Sequence, residues 1–189
     1  MSSILEGDYL SIMDSIRTNS VDLVVTDPPY GIEFMGKNWD KAVPNIAIWR
    51  KMHKLLKNGG FAFIMSSPRL DVLSQMGTRL QGAGFEIGFT PIFWTYATGF
   101  PKSMNIGKKT GDDRLKGAYA GFQPKPAVEV IIVAMNPLSE DTYLAQALKN
   151  SKGITWLDDG RIPFKTKEDV RSSKHNFKLE TDYPSNNTV

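Results

Sequence analysis

Three observations predict an α/β fold built on a parallel sheet. Short apolar, β-branched runs alternate with segments of helical period, the runs stop at strong turn formers, and the resulting order is β-α-β-α-β, which calls for right-handed crossovers. The first element is an amphipathic helix. Tyr9, Ile12, Met13 and Ile16 fall at i, i+3, i+4 and i+7 behind Asp8, a good N-cap, and Tyr9 and Ile12 read as core. Residues 21–26 form a buried strand that ends at Asp27-Pro28-Pro29, where consecutive prolines forbid its continuation. Ile48, Trp49, Met52, Leu55 and Leu56 mark the second helix, with Asn58-Gly59-Gly60 as its stop, and residues 61–65 form the second strand. Val72, Leu73, Met76 and Leu80 mark a third helix closed by Gly82-Ala83-Gly84, before a third strand within residues 85–96. Trp94 reads as a core residue of that strand, and His53 as a solvated residue on a basic helix face.

The next strand, residues 128–134, is reached through a long connection, residues 97–127, that is polar, rich in Gly and Lys and without helical period. With no crossover helix, this strand is expected antiparallel beside its predecessor. A structureless connection of that length inside a compact domain points to function. Beyond Leu148 the pattern weakens: residues 153–164 have room for one more strand, and residues 165–189 read as a polar, loosely ordered tail. The expected division is one domain over residues 1–164, followed by that tail.

Composition narrows the chemistry. The 189 residues are 41% hydrophobic and 23% charged, which excludes a disordered or fibrous chain, and the absence of cysteine excludes thiol nucleophiles, zinc–cysteine clusters and a disulfide scaffold. His53 and His175 are the only imidazoles, so a histidine-rich metal site is excluded and no metal is expected. No apolar run approaches the ~18 residues of a membrane span. Residues 1–10 lack the basic and apolar regions of a signal peptide, and a cytoplasmic location is the expectation. The net charge of +3 says little, but its distribution says more. From Lys102 to Lys125 six basic residues face two acidic ones, and from Arg161 to Lys178 the ratio is again six to two. Lys102, Lys108, Lys109, Arg114 and Lys125 are therefore candidate phosphate contacts, although a solvated loop explains them equally well.

The strongest signal is Asp27-Pro28-Pro29-Tyr30 at the carboxyl end of a buried strand, where α/β sheets bind ligands. Here the sequence resembles the amino-methyltransferases of DNA, which use S-adenosylmethionine to methylate adenine N6 or cytosine N4 and carry (D/N/S)PP(Y/F/W) at that place. The chemistry accounts for the residue types. An exocyclic amine on a nucleobase is a poor nucleophile, because its lone pair is delocalised into the ring. The Asp27 carboxylate and the Pro28 carbonyl each accept one amine hydrogen, drawing the nitrogen toward tetrahedral geometry with its lone pair aimed at the methyl group. Pro28 and Pro29 fix φ and offer carbonyls without competing N–H donors. Tyr30 stacks on the base once it is flipped from the duplex. The donor is a sulfonium cation, so transfer disperses charge and asks for neither a metal nor a strong base.

The resemblance extends beyond the tetrapeptide, from about residue 7 to residue 164. It takes in Gly7-Asp8, Ser20-Val21-Asp22-Leu23, Gly31, Trp39-Asp40, Gly99-Phe100-Pro101-Lys102-Ser103, Lys125-Pro126-Ala127 with Glu129, and Asp158 with Arg161-Ile162-Pro163. These look like the phage- and restriction-associated branch of the family. The resemblance implies a Rossmann-like methyltransferase sheet, mostly parallel with an antiparallel edge pair, and S-adenosylmethionine as cofactor. It implies double-stranded DNA as partner, Asp27 and Pro28 at the cofactor edge, and Asp8 toward the cofactor's adenosine, although an N-cap explains Asp8 as well. Phe34 and Trp39 follow the motif as candidate guards of the base pocket, with plain packing as the alternative, and Ser66-Ser67-Pro68 ends the second strand on the same edge.

One departure qualifies the resemblance. Members with this motif order place a target-recognition region and then a Phe-x-Gly-x-Gly cofactor loop downstream of the catalytic motif, and no such loop occurs here. Gly82-Ala83-Gly84 leads from helix to strand, the reverse of a turn that presents N–H groups to a cofactor. The chain is therefore expected to be the catalytic half of a methyltransferase, incomplete in its sheet. It would need a complementing cofactor-binding segment, or would self-associate through an exposed sheet edge, with residues 165–189 as tail or start of target recognition. The expected activity is adenine N6 methylation ahead of cytosine N4. The alternatives are a non-catalytic DNA-binding or assembly remnant and, further off, a methyltransferase acting on RNA or protein glutamine.

Overall fold

A computed structural model describes residues 4–31, 42–96, 103–122, 127–160 and 163. It divides into a unit spanning Met1–Ile154 and a second spanning Thr155–Val189. The first holds α1 (Tyr9–Ser15), β1 (Val21–Thr26), α2 (Ile46–Leu55), β2 (Leu56–Ser66), α3 (Leu70–Gly82), β3 (Ile92–Tyr96), α4 (Ile106–Thr110), β4 (Ala127–Met135) and α5 (Tyr143–Asn150). Described residues of the second unit include a 3-10 turn at Leu157–Gly160, and the further strand expected within residues 153–164 is absent from the described part of that range. The tail from residue 164 lies outside the described residues.

The sheet order is β1-β2-β4-β3. β1 pairs parallel with β2, while β4 is antiparallel to both β2 and β3. The α/β class and the antiparallel edge pair β3–β4 are as predicted, and β1, β2 and β3 run in one direction. By pairing, however, the sheet is mixed rather than mostly parallel. The chain leaves β2 through α3, passes over one strand position to lay down β3, and returns to fill that gap with β4.

Local chemistry moves several boundaries. α2 ends at Leu55, before the Asn58-Gly59-Gly60 stop, because the N–H groups of Asn19 and Ser20 already satisfy the carbonyls of Lys54 and Leu55 at 2.9 Å each. Asn58-Gly59-Gly60 instead lies inside β2, where the pairing slips from Val21–Leu56 to Leu23–Phe61 and Gly59 adopts φ +74°. The third strand is only Ile92–Tyr96, and Glu86 makes a single bridge to Met135. The long connection is not structureless. Asn105 caps α4 by accepting from Lys108 N–H at 2.9 Å, and Asp112 caps a 3-10 turn at Asp113–Leu115.

One face of the sheet carries the core. Trp49 of α2 and Val72, Met76 and Leu80 of α3, the latter at i, i+4 and i+8, pack with Ala62, Ile64, Ile132 and Ala134. Full burial of side chains of this size contributes about 1.5–3 kcal/mol each. Tyr9, read as core, is half exposed instead, since the short α1 buries no residue. His53 is not solvated: its ring stands edge-on to Phe85 at 5.2 Å, and burial lowers its pKa. The opposite face is largely open. Leu23, Val25, Ile92 and Trp94 each expose about half of their surface there or more, while Phe61, Phe63, Ile131 and Val133 between them are half-buried and Phe89 stands against Phe61 at 5.6 Å. Trp94 is thus a surface residue, 55% exposed, because β3 is an edge strand.

The non-site edge of β1 is tied by charge. Lys152 and Lys57 both contact Asp22 at 2.8 Å and, in that order, hold its carboxyl down to about 2. The stabilisation from these pairs is present above the ordinary carboxylate range and is lost as pH falls toward that value. No described helix is long and apolar enough to cross a membrane, and no cluster of described residues suits a metal ion.

Candidate active site at the carboxyl edge of the sheet

β1 ends at Thr26, paired with Ile64, so the Asp27–Tyr30 turn leaves the sheet beside the end of β2. Asp27 is exposed, while Pro28, Pro29 and Tyr30 are half-buried. The Tyr30 hydroxyl donates to Asp27 Oδ1 at 2.7 Å. That bond orients the carboxylate, and among the described residues no donor takes its second oxygen. Burial and then the Asp27 hydrogen bond push the Tyr30 hydroxyl's pKa well above the ordinary phenol range, with smaller contributions from the charges of Asp27 and Glu129 and from Tyr96. Tyr30 therefore remains a neutral donor at any working pH.

Gly31 makes the turn possible. Its φ is +70°, and a Cβ there would stand 2.7 Å from the Val43 nitrogen and 2.9 Å from the Ala42 carbonyl carbon. The backbone it approaches is fixed in turn by Arg79 of α3, whose guanidinium donates to the carbonyls of Val43 and, at 2.9 Å, Pro44. Neither Arg79 nor Val43 was legible as part of the site, since the contact joins residues 36 apart in sequence.

The same edge gathers Ser66 and Ser67, both buried, at the end of β2. Glu129 of β4 stands opposite Trp94 of β3, with Tyr96 two residues on. Asp8 is taken up by its helix: its carboxylate accepts from Ser11 N–H at 3.0 Å and from the Ser11 hydroxyl at 3.2 Å. Of the candidate phosphate contacts, Lys108 and Lys109 lie exposed in the last turn of α4. Arg114 is exposed but committed to Asp112 at 2.6 Å. Lys102 and Lys125, like Phe34 and Trp39, lie outside the described residues.

No family model matches the chain. It is 32% identical over 115 residues to the type II methyltransferase M.BglII of Bacillus subtilis, covering 56% of this chain and 29% of that protein. It is 35% identical over 78 residues to the DNA adenine methyltransferase YhdJ of Escherichia coli strain K12, covering 34% of this chain and 24% of that one. Among solved structures, the Thermus thermophilus DNA modification methylase TTHA0409, complexed with S-adenosyl-L-methionine, aligns over 87% of this chain and 63% of its own with 22% identity and a TM-score of 0.48. The cytosine-N4-specific PvuII DNA methyltransferase aligns over 71% of this chain and 50% of its own with 15% identity and a TM-score of 0.45. The chain spans less than a third of the length of the two curated relatives. Over the stretch it shares with them, the chain is related by sequence to the DNA methyltransferases.

Proposed function

We propose that this chain supplies the amine-activating part of an S-adenosylmethionine-dependent DNA amino-methyltransferase, acting on adenine N6 ahead of cytosine N4. The observation that carries the reading is the Asp27–Tyr30 turn at the carboxyl end of β1, with an exposed carboxylate aligned by the Tyr30 hydroxyl. Asp27 and the Pro28 carbonyl accept the two hydrogens of the target amine, and the Tyr30 ring stacks on the extruded base. S-adenosylmethionine, when bound, supplies the methyl group as a sulfonium.

The described residues fit that cofactor only in part. They offer the Asp27 edge, but the sequence has no Phe-x-Gly-x-Gly loop, and Asp8 is occupied as a helix cap. The exposed outer parts of the sheet face, and an edge of β1 that pairs with no strand among the described residues, favour a complementing cofactor-binding segment, or a second copy, as cover. The missing loop equally favours a second reading, a DNA-binding remnant without catalysis. Restriction–modification and a bacterial or phage-infected cytoplasm are the setting either reading implies.

Double-stranded DNA is the proposed partner, with Lys108 and Lys109 on phosphates. Binding measured against salt tests this. Lys108→Gln and Lys109→Gln should each flatten the dependence of log affinity on log salt by roughly 0.9, the value of one phosphate contact on B-DNA. Arg114→Gln should change it less, because Asp112 already neutralises that guanidinium. Unchanged slopes for both lysines would make α4 a solvated helix only.

A further inference from the structure

The amino end of the sheet, opposite the Asp27 turn, carries a cavity that no part of the proposed reaction uses. β4 runs antiparallel to β2, so its last residue, Met135, paired with Phe61, lies at that end. Glu86, on the way from α3 to β3, bridges Met135 through backbone bonds of 2.9 Å in both directions. Beside this bridge Gln81, Phe85, Glu86, Ile87, Phe89 and Tyr143, the first residue of α5, line an open cavity of about 460 Å³. Its size and its composition, an apolar lining with a few polar groups, are those of a ligand site. The aromatic side chains are braced: Phe85 is buried, Phe89 stands edge-on to Phe61 at 5.6 Å, and the Tyr143 ring lies so near Gly153 that a Cβ there would stand 3.2 Å from its Cδ1. By contrast the Gln81 amide, the Glu86 carboxylate and the Tyr143 hydroxyl have no hydrogen-bond or ion-pair partner among the described residues. No Lys or Arg lines the cavity, and the cations flanking it in sequence are committed elsewhere, Arg79 to the carbonyls of Val43 and Pro44 and Lys149 to Glu140.

We propose that this cavity is a docking site for a guanidinium group, the arginine side chain of a partner polypeptide. Charge complementarity fixes the sign of the occupant: the one charged group in the lining is a carboxylate, so a cation is attracted there and a phosphate is repelled. The aromatic lining and the set of acceptors fix the kind of cation. A planar guanidinium lies against aromatic rings and presents paired N–H groups to the two carboxylate oxygens of Glu86, while the Gln81 side-chain carbonyl and the Tyr143 hydroxyl accept from those left over. An ammonium, compact and strongly hydrated, matches only part of this set. Because the cavity lies at the far end of the sheet from the amine-activating turn, an occupant there leaves the reaction edge clear. The inference stands apart from the DNA reading and holds whether or not the chain takes part in methyl transfer.

The test is titration of the isotope-labelled whole chain, followed by backbone amide chemical shifts, with the blocked amino acids acetyl-arginine amide, acetyl-lysine amide and acetyl-citrulline amide. Citrulline keeps the outline of arginine without its charge. The arginine amide should give saturable shifts concentrated at residues 81–89 and around Tyr143, with the lysine amide several-fold weaker and the citrulline amide weaker by at least about tenfold, as expected for hydrogen bonds to a charged acceptor. Glu86→Gln should weaken the arginine amide by a similar factor, and Tyr143→Ala by about two- to fivefold, the value of an exposed cation–π contact. Glu86 is exposed and serves the fold through its backbone, so Glu86→Gln should leave the structure intact, which circular dichroism checks for both variants. No saturable shift, shifts centred elsewhere, citrulline amide binding as well as arginine amide, or affinity that Glu86→Gln leaves within twofold overturns the proposal. Free arginine binding more tightly than its blocked form overturns the assignment to a polypeptide. None of these outcomes bears on Asp27, whose role is read from methyl transfer.

Discussion

Asp27→Ala, introduced into a polypeptide that joins this chain to the cofactor-binding half of a relative, should lower methyl transfer to duplex DNA by roughly 10²–10³-fold, the loss typical of a preorganised contact to developing charge. The carboxylate acts on the amine chiefly in the transition state, so the loss should fall on kcat, with S-adenosylmethionine affinity largely retained. Stability should change little. The variant removes one hydrogen bond, that of the Tyr30 hydroxyl, from an exposed position, and such a bond contributes about 0.5–1.5 kcal/mol. Asp27→Asn retains a single side-chain oxygen, to be shared between the Tyr30 hydroxyl and the amine, where Asp27→Ala retains none, and should be the milder variant. Retention of more than about a tenth of the rate by Asp27→Ala, against the expected loss, would remove Asp27 from the reaction.

Gly31→Ala should be the most damaging small substitution at the site. A left-handed backbone alone costs an L-residue about 1–2 kcal/mol. At Gly31 the added methyl also meets the Ala42–Val43 backbone, with its closest approach at 2.7 Å, and Arg79 holds that backbone in place. Gly111 provides the control: its φ of +67° is nearly the same, but a Cβ there meets nothing within 4 Å. Denaturant unfolding of both variants separates conformation from packing. Gly111→Ala should show the conformational cost only, and Gly31→Ala clearly more, together with loss of site activity in the joined polypeptide. Equal costs would show that the Asp27–Tyr30 turn does not depend on its approach to Val43.

Much of this architecture was legible in the chain. The stop of β1 at consecutive prolines, the helical stripe Val72–Met76–Leu80 and the Asp8 cap all express local rules, and local rules survive into the fold. What misled was context from elsewhere in the chain. The end of α2 is set by Asn19 and Ser20, far upstream in sequence, rather than by the glycines that follow it. Trp94 has strand chemistry, but its exposure depends on β4 taking the interior position, which no feature of residues 85–96 announces. The Asp27 motif could be placed on its sheet edge because a short apolar, β-branched strand immediately precedes it; that strand, expected to be buried, is instead an edge strand with no buried residue, because β2 is its one neighbour among the described residues. That Glu129 stands beside Trp94 could not be read from sequence, because the two meet only through the antiparallel pairing of β3 and β4.

The central claim is that these 189 residues carry the amine-activating edge of a methyltransferase and not the groups that hold its cofactor. Titration calorimetry of S-adenosylmethionine into the chain by itself tests this most directly. The account predicts weak binding or none, because backbone donors from a glycine loop and a carboxylate for the ribose are what this architecture uses and neither is identifiable here. Micromolar binding, accompanied by transfer of a labelled methyl group to duplex DNA, would contradict it and would assign the loop's work to a glycine-poor segment of this chain.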